Sequence, residues 1–391
     1  MIAATLSVGF LPLVDAAPLI VAHEMGFAAE EGIALDLRRA PSWSSVRDML
    51  SFGQVEAAHM LAPVPVATAL GLGGNGTPLS AVSVLSVNGD IIGVSNDLAA
   101  KLRAGGHDFA FRDARAAGAA LIAHATQPLR LGVPFPFSMH AELLYYWLTA
   151  LGLPAPQSVD IRTVPPSLMA AALEAGEIDA FCVGEPWGSM AVENGVGTLL
   201  LPGNAIWSFA PEKVLAVRSD WAAAEGQLLG RLIRAVWRAG RWLAEPGSPT
   251  LAAELLSRPQ YLDLPSEILD RALTGRIVIS PQGEERHVPR FVEFHRGAAS
   301  FPWRSQAEWI GLQLAKRMGL DQTTAAQAAR AVFRSDLYRQ ALAPTQAELP
   351  GASSKLEGAL IHETAVSSVA GRLFLGPDAF FDGKVFEPDA V

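Results

Sequence analysis

Short apolar runs alternate with stretches of helical spacing from the start of the chain. Segments 5–10 (TLSVGF), 33–37 (IALDL) and 55–60 (VEAAHM) have the length of buried strands, and each precedes a helix-like stretch, at 16–30, 43–52 and 63–72. Such strand–helix alternation builds a parallel sheet with right-handed crossovers. Two further strand-like runs, 79–87 (LSAVSVLSV) and 91–95 (IIGVS), are joined through Asn88-Gly89-Asp90. They read as the chain leaving one sheet and entering another.

A second alternating block follows, with helices at 112–126, 138–151, 166–175 and from 187 onward, and strands at 130–133, 159–163 and 178–183. Strand-like runs 197–201 (GTLLL) and 213–217 (KVLAV) then carry the chain back. The expectation is an α/β chain of two lobes with mainly parallel sheets and a helical C-terminal extension. Lobe I comprises 1–92 and returns at 204–342 with a helical region, lobe II is inserted at 93–203, and 343–391 is an extension docking on the lobes. Two crossings between lobes make a hinge. The helical region carries Trp221, Trp237, Trp242, Trp303 and Trp309, which read as core packing. Segment 343–358, rich in turn formers, is expected at the surface, and 380–388 (FFDGKVFEP) is expected to dock. No internal repeat is visible.

Composition narrows the function classes. Half of the 391 residues are hydrophobic, yet no apolar run reaches the length of about 18 needed to span a membrane. Net charge is −9, from 39 acidic and 30 basic residues without a basic block, so direct nucleic-acid binding is not expected. A single cysteine, Cys182, excludes an intrachain disulfide and a thiolate metal cluster; no metal and no cofactor are expected. The apolar opening has no basic flank and its first charged side chain is Asp15, which reads as a chain retained in the cytoplasm rather than led out by a signal segment.

Candidate chemistry lies just after strands, where open α/β sheets bind ligands and helix N-termini favour anions. Asp15, followed by Pro18, reads as a helix cap, because a bare carboxylate does nothing for an anion. Ser42-Trp43-Ser44-Ser45 opens a helix with hydroxyl caps, and Trp43 either lays its ring over a planar ligand while donating its indole N–H or packs on the helix entrance. His59 ends the third strand as a donor or as a satisfied structural histidine. In the second block, Ser138 caps a helix that carries His140 in its first turn, either a surface histidine or an anion ligand, as a neutral donor or a cation offset by the bound anion. Glu185, in Gly184-Glu185-Pro186-Trp187-Gly188, either orients a donor or caps a helix. Lys213 is either a solvated loop lysine or the source of the full positive charge that a buried monoanion needs. No phosphate-loop, zinc-protease, EF-hand or nucleophile-elbow motif occurs, and Gly71-Leu72-Gly73-Gly74-Asn75-Gly76 reads as a turn after a helix.

These residues carry a family resemblance that covers most of the chain. The pieces include Asp15-Ala16-Ala17-Pro18-Leu19-Ile20, Ala40-Pro41-Ser42-Trp43-Ser44-Ser45, Ala57-Ala58-His59-Met60-Leu61-Ala62, Cys182-Val183-Gly184-Glu185-Pro186-Trp187-Gly188, Pro211-Glu212-Lys213-Val214 and Phe380-Phe381-Asp382-Gly383-Lys384. Together they resemble the nitrate-binding branch of the periplasmic-binding-protein superfamily, which includes nitrate-binding NrtA and bicarbonate-binding CmpA proteins. The resemblance implies the type II two-lobed fold and a nitrate or nitrite anion held by Trp43, His140 and Lys213. Ser42, Ser44, His59, Asn88, Gly89, Ser138 and Glu185 are further candidates around it. A glutamine is implied after the Asn-Gly pair, where this chain has Asp90, an acidic group that would repel nitrate. With the cytoplasmic reading, the chain is most similar to NasS-type sensors, which implies control of a NasT-like, RNA-binding antiterminator. The alternatives are the substrate-binding component of an ABC transporter, partnered by a permease, and an enzyme resembling thiamine-pyrimidine synthases, whose cysteine-rich pattern this chain lacks.

Overall fold

A computed structural model describes residues 4–388. Its frame is two β-sheets. The first contains β1 (Ala4–Phe10), β2 (Ile33–Arg39), β3 (Ala57–Leu61), β4 (Leu79–Asn88) and, much later in the chain, β10 (Pro211–Arg218), with the short strand Val292–Glu293 at one edge. Its order is Val292–Glu293, β4, β10, β3, β1, β2; β1 is parallel to both β2 and β3, whereas β10 runs antiparallel to its neighbours β3 and β4. The second sheet contains β5 (Asp90–Ser95), β6 (Leu129–Val133), β7 (Val159–Thr163), β8 (Ala180–Gly184) and β9 (Gly197–Pro202), in the order β7-β6-β8-β5-β9. Only β5 opposes the common direction there, pairing antiparallel with β8 and β9.

The chain therefore passes between sheets twice, at β4 to β5 and at β9 to β10. At the first passage Asn88 holds a left-handed φ of 59° and Gly89 a φ of 95°. The Asn88 side chain fixes both passages to each other, accepting from the Ala210 N–H at 3.0 Å and donating to the Ser208 carbonyl at 3.0 Å.

Most elements follow the hydrophobic pattern. One expected helix, 16–30, is instead two, Ala17–Glu24 and Phe27–Glu30, because Gly26 turns left-handed at φ 78° between them. Residues 221–342 are largely helical as expected, interrupted by a small antiparallel hairpin, Arg276–Val278 with Glu285–His287. Trp237, Trp303 and Trp309 are buried in the continuous core, while Trp221 and Trp242 pack partly against it. The terminal segment docks through Phe380, whose ring stacks on Trp207 with centroids 4.7 Å apart. Lys355 anchors the same region in a buried ion cluster with Glu357 and Asp378.

Candidate functional site

The carboxyl ends of β1 and β3 and the start of β10 meet the end of β8 and the start of β5 across the two sheets. Asp15 lies in the tight turn Val14–Ala16 that follows β1. Its side chain caps nothing, contrary to the sequence reading. Both oxygens are engaged elsewhere: Oδ1 lies 2.9 Å from His59 Nε2 and Oδ2 lies 2.8 Å from Lys213 Nζ. His59 is buried within β3 and its Nδ1 accepts the Leu11 N–H at 3.4 Å. That acceptor role puts the imidazole proton on Nε2, facing Asp15.

Lys213 owes its position to an irregularity. Alternation along a strand sends neighbouring side chains to opposite faces, but the register of β10 against β4 shifts on both sides of Lys213. A bulge of this kind re-aims a side chain, and here Glu212 and Lys213 both enter the cluster. The ammonium donates to Glu212 Oε1 at 2.7 Å, and the same oxygen lies 3.2 Å from His140 Nδ1. His140 comes from the first turn of the helix Met139–Ala150 in the other sheet's lobe, capped by Ser138 Oγ, which accepts from the Ala141 N–H at 3.2 Å. Trp43, in the first turn of the helix Trp43–Ser51, completes the wall. Its ring centroid lies 5.2 Å from that of His59 and 5.4 Å from Lys213 Nζ, a cation–π distance.

The result is a chain of contacts, His59–Asp15–Lys213–Glu212–His140, roofed by Trp43, with Asp15, Trp43, His59, His140, Glu212 and Lys213 all at 0–1 % exposure. Asp90, at the start of β5, is equally buried and accepts the Cys182 thiol at 3.6 Å. Trp43 Nε1, His140 Nε2, Glu212 Oε2 and Asp90 Oδ1 are buried without a hydrogen-bonding partner among the described residues.

The lobes are tied across this cluster. Val14 N–H donates to the Glu185 carbonyl at 3.0 Å, and Trp187 Nε1 to the Pro12 carbonyl at 2.9 Å. Gly184 ends β8 flush against the opposite wall: a Cβ there would lie 2.7 Å from Leu13 Cδ2, 3.5 Å from Asp15 Oδ2 and 3.7 Å from His140 Nε2. A glycine permits that approach.

Burial and charge act against each other in the cluster. Burial alone would raise the Asp15 carboxyl, but Lys213 and His59 outweigh it and hold it below the usual carboxylate range. Burial wins at Glu212, pushed up to about 8 despite Lys213, and at Asp90, pushed up to about 6. Burial, then the field of Lys213, keeps His140 well below the ordinary histidine value, and burial likewise depresses His59. Burial would lower the Lys213 ammonium, yet Asp15 and Glu212 raise it above the usual lysine value.

Of the residues singled out from sequence, Trp43, His140 and Lys213 converge, and His59 joins them. Ser42 and Ser44 bond to each other at the helix start, Oγ to Oγ 2.9 Å, and Ser42 caps that helix. Asn88 and Gly89 serve the passage between sheets, with the Gly89 carbonyl accepting from the Glu185 N–H at 3.1 Å. Ser138 is a cap, and Glu185 caps the next helix turn by accepting from the Ser189 N–H at 3.1 Å, its carboxyl pushed up to about 7 by burial. Asp90 does not leave the cluster: Lys213 and Asp15 both act on its proton. Glu212 escaped the sequence reading because only the bulge brings it in; the sole signal was its place beside Lys213.

Two sheets linked by two crossings, with a buried polar cluster between them, define a protein of the periplasmic-binding-protein class. The chain belongs to the NMT1-like family, whose model matches residues 3–257. It is 28% identical over 392 residues to the nitrate/nitrite binding protein NrtA of Nostoc, covering 97% of this chain and 82% of that one. It is also 33% identical over 314 residues to the nitrate import ATP-binding protein NrtC of Synechocystis, covering 80% of this chain but only 46% of the relative. The chain thus spans about half the length of that ATP-binding relative. The crystal structure of the periplasmic nitrate-binding protein NrtA from Synechocystis superimposes with a TM-score of 0.84 at 26% identity, covering 99% of this chain and 96% of the other. The alkanesulfonate-binding protein SsuA of Xanthomonas axonopodis shares the fold, with a TM-score of 0.59 at 18% identity, covering 84% of this chain and 98% of that one.

Proposed function

We propose that this chain is a binding protein rather than an enzyme, and that it captures a small oxyanion, nitrate or nitrite first, between its lobes. The observation that carries the reading is the convergence of Trp43, His140 and Lys213 from three separated parts of the chain, with the indole N–H unpartnered in the buried cleft. Relatives named for nitrate, nitrite and bicarbonate binding support the ligand class. Capture needs the lobes to part, because every cluster side chain is sealed from solvent when they are tied. The linkers at Asn88-Gly89 and 203–210 are the hinge in this reading, with lobe II inserted at 93–203.

A ligand that favours the tied arrangement shifts the population toward it and changes the outer surface, which is how a bound anion is signalled to a partner. Likeness to NasS-type sensors supports a cytoplasmic chain that holds a NasT-like antiterminator until the anion binds. A role beside an ABC permease is favoured by the likeness to NrtC and is the second reading. Isothermal titration with nitrate, nitrite and bicarbonate, the last with and without calcium, tests the ligand. Micromolar binding of nitrate or nitrite is expected; heat only with bicarbonate plus calcium overturns it. A pull-down from cell extract with and without nitrate separates the partners: capture of an antiterminator released by nitrate supports the sensor, and capture of permease components the transporter.

A further inference from the structure

The cluster has more carboxyl groups than an anion site tolerates. One ammonium, Lys213, faces Asp15 at 2.8 Å and Glu212 at 2.7 Å, and Asp90 lies buried within its field. Neither histidine adds charge, since both are held below the ordinary imidazole value. With three carboxylates ionised, the site carries a net negative charge before any anion arrives. A further negative ion in a sealed, low-dielectric cleft would then cost far more than the donors return.

Something must neutralise the excess. A bridging cation has no room between Asp15 and Glu212, because the Lys213 ammonium already stands between them. Protons fit better. Glu212 Oε1 accepts from Lys213, leaving Oε2 buried and unpartnered, and Asp90 Oδ1 is in the same condition. A proton on either oxygen removes a charge and turns an acceptor into a donor, which is what an acceptor-only ligand requires. The groups facing this pair are Asp15 after β1, His140 on its helix, Cys182 on β8 and Lys213 on β10, with His59 on β3 held against Asp15 behind them. Of these, Lys213 favours ionisation of both carboxyls and the Cys182 thiol favours it at Asp90, whereas Asp15 opposes it at both.

We propose that the cleft binds oxyanion and proton together, with Glu212 and Asp90 holding protons in the loaded state and Glu212 donating its O–H to the ligand. This rests on the oxyanion reading above. Burial already raises Glu212 to about 8 and Asp90 to about 6 in the empty site, and a bound anion raises both further.

The test is titration of the full chain with sodium nitrate and sodium nitrite from pH 6 to 9, in two buffers of different ionisation heat. Proton uptake on binding and an affinity that falls about tenfold per pH unit above pH 8, the mark of one linked proton, are expected. Glu212→Gln, which keeps the shape and supplies a permanent N–H, should bind at pH 9 at least tenfold more tightly than wild type and lose that slope. Asp90→Asn should reduce proton uptake near pH 7. Anion binding with a flat pH profile and no proton uptake overturns the proposal while leaving the oxyanion reading intact. Binding abolished by chelator and restored by calcium overturns it in favour of a cation. No anion binding at any pH overturns both.

Discussion

Lys213 Nζ and Asp15 Oδ2 are paired at 2.8 Å although the two residues lie about two hundred positions apart in the chain, with the whole second sheet inserted between them. The pair is buried, so removing one member strands the other. Lys213→Met is expected to weaken nitrate binding at least tenfold, roughly 1.4 kcal/mol. It also leaves Asp15 and Glu212 without their counter-charge and should lower the unfolding free energy by about 3 kcal/mol. Calorimetric titration and urea unfolding measure the two effects. Unchanged affinity in a folded variant would remove Lys213 from the site.

Trp43 combines a ring against Lys213 and His59 with a buried, unpartnered N–H. Trp43→Phe keeps most of the ring and loses the donor. A hydrogen bond to a charged ligand is worth about 1.5–3 kcal/mol, so a loss of roughly tenfold or more in nitrate affinity is expected with little change in melting temperature. Equal affinity would reduce Trp43 to packing.

Of the neutral and cationic forms that its helix position left open to His140, its surroundings favour the neutral one. Burial and then Lys213 keep the imidazole neutral well below its ordinary range. Its nitrogen resonances should therefore stay those of a neutral ring from pH 8 down to about 5.5, across the unperturbed histidine value. Titration of the ring near about 6.5 would contradict this.

Glu212 gives the empty protein a pH-dependent stability of defined sign. Its folded value of about 8 lies above the ordinary 4.5, so the folded state holds the proton more tightly than the unfolded chain. The contribution is complete below pH 4.5 and is lost as pH rises toward 8. Thermal unfolding of ligand-free protein should show stability falling across that window, and Glu212→Gln should make the fall shallower. Asp90 and Glu185 act in the same direction and leave a residual slope.

Trp187 ties the lobes through the Pro12 carbonyl. Trp187→Phe removes this bond without touching the cluster, and should weaken anion binding several-fold, about 1 kcal/mol. X-ray scattering should show a smaller contraction on adding nitrate. A variant that contracts and binds as wild type does would assign closure to the remaining contacts.

The amino-acid sequence by itself determined the strands, because period and length mark a buried strand wherever it lies; β1, β4, β5 and β7 fall where the apolar runs predicted. It also offered Trp43, His140 and Lys213 as separate candidates, which only the family resemblance grouped into one set. Local signals failed where a role depends on a distant partner. Asp15 reads as a cap from its neighbours, and only the return of β10 turns it into the counter-ion of Lys213. Glu212 should face away from Lys213 by alternation, and a bulge that no residue type announces reverses this. Whether a carboxyl is charged is decided by how much water and which ammonium surround it. Those surroundings come from five strands and two helices meeting at one point, so the acidity of Asp90 and Glu212 belongs to the tertiary structure alone.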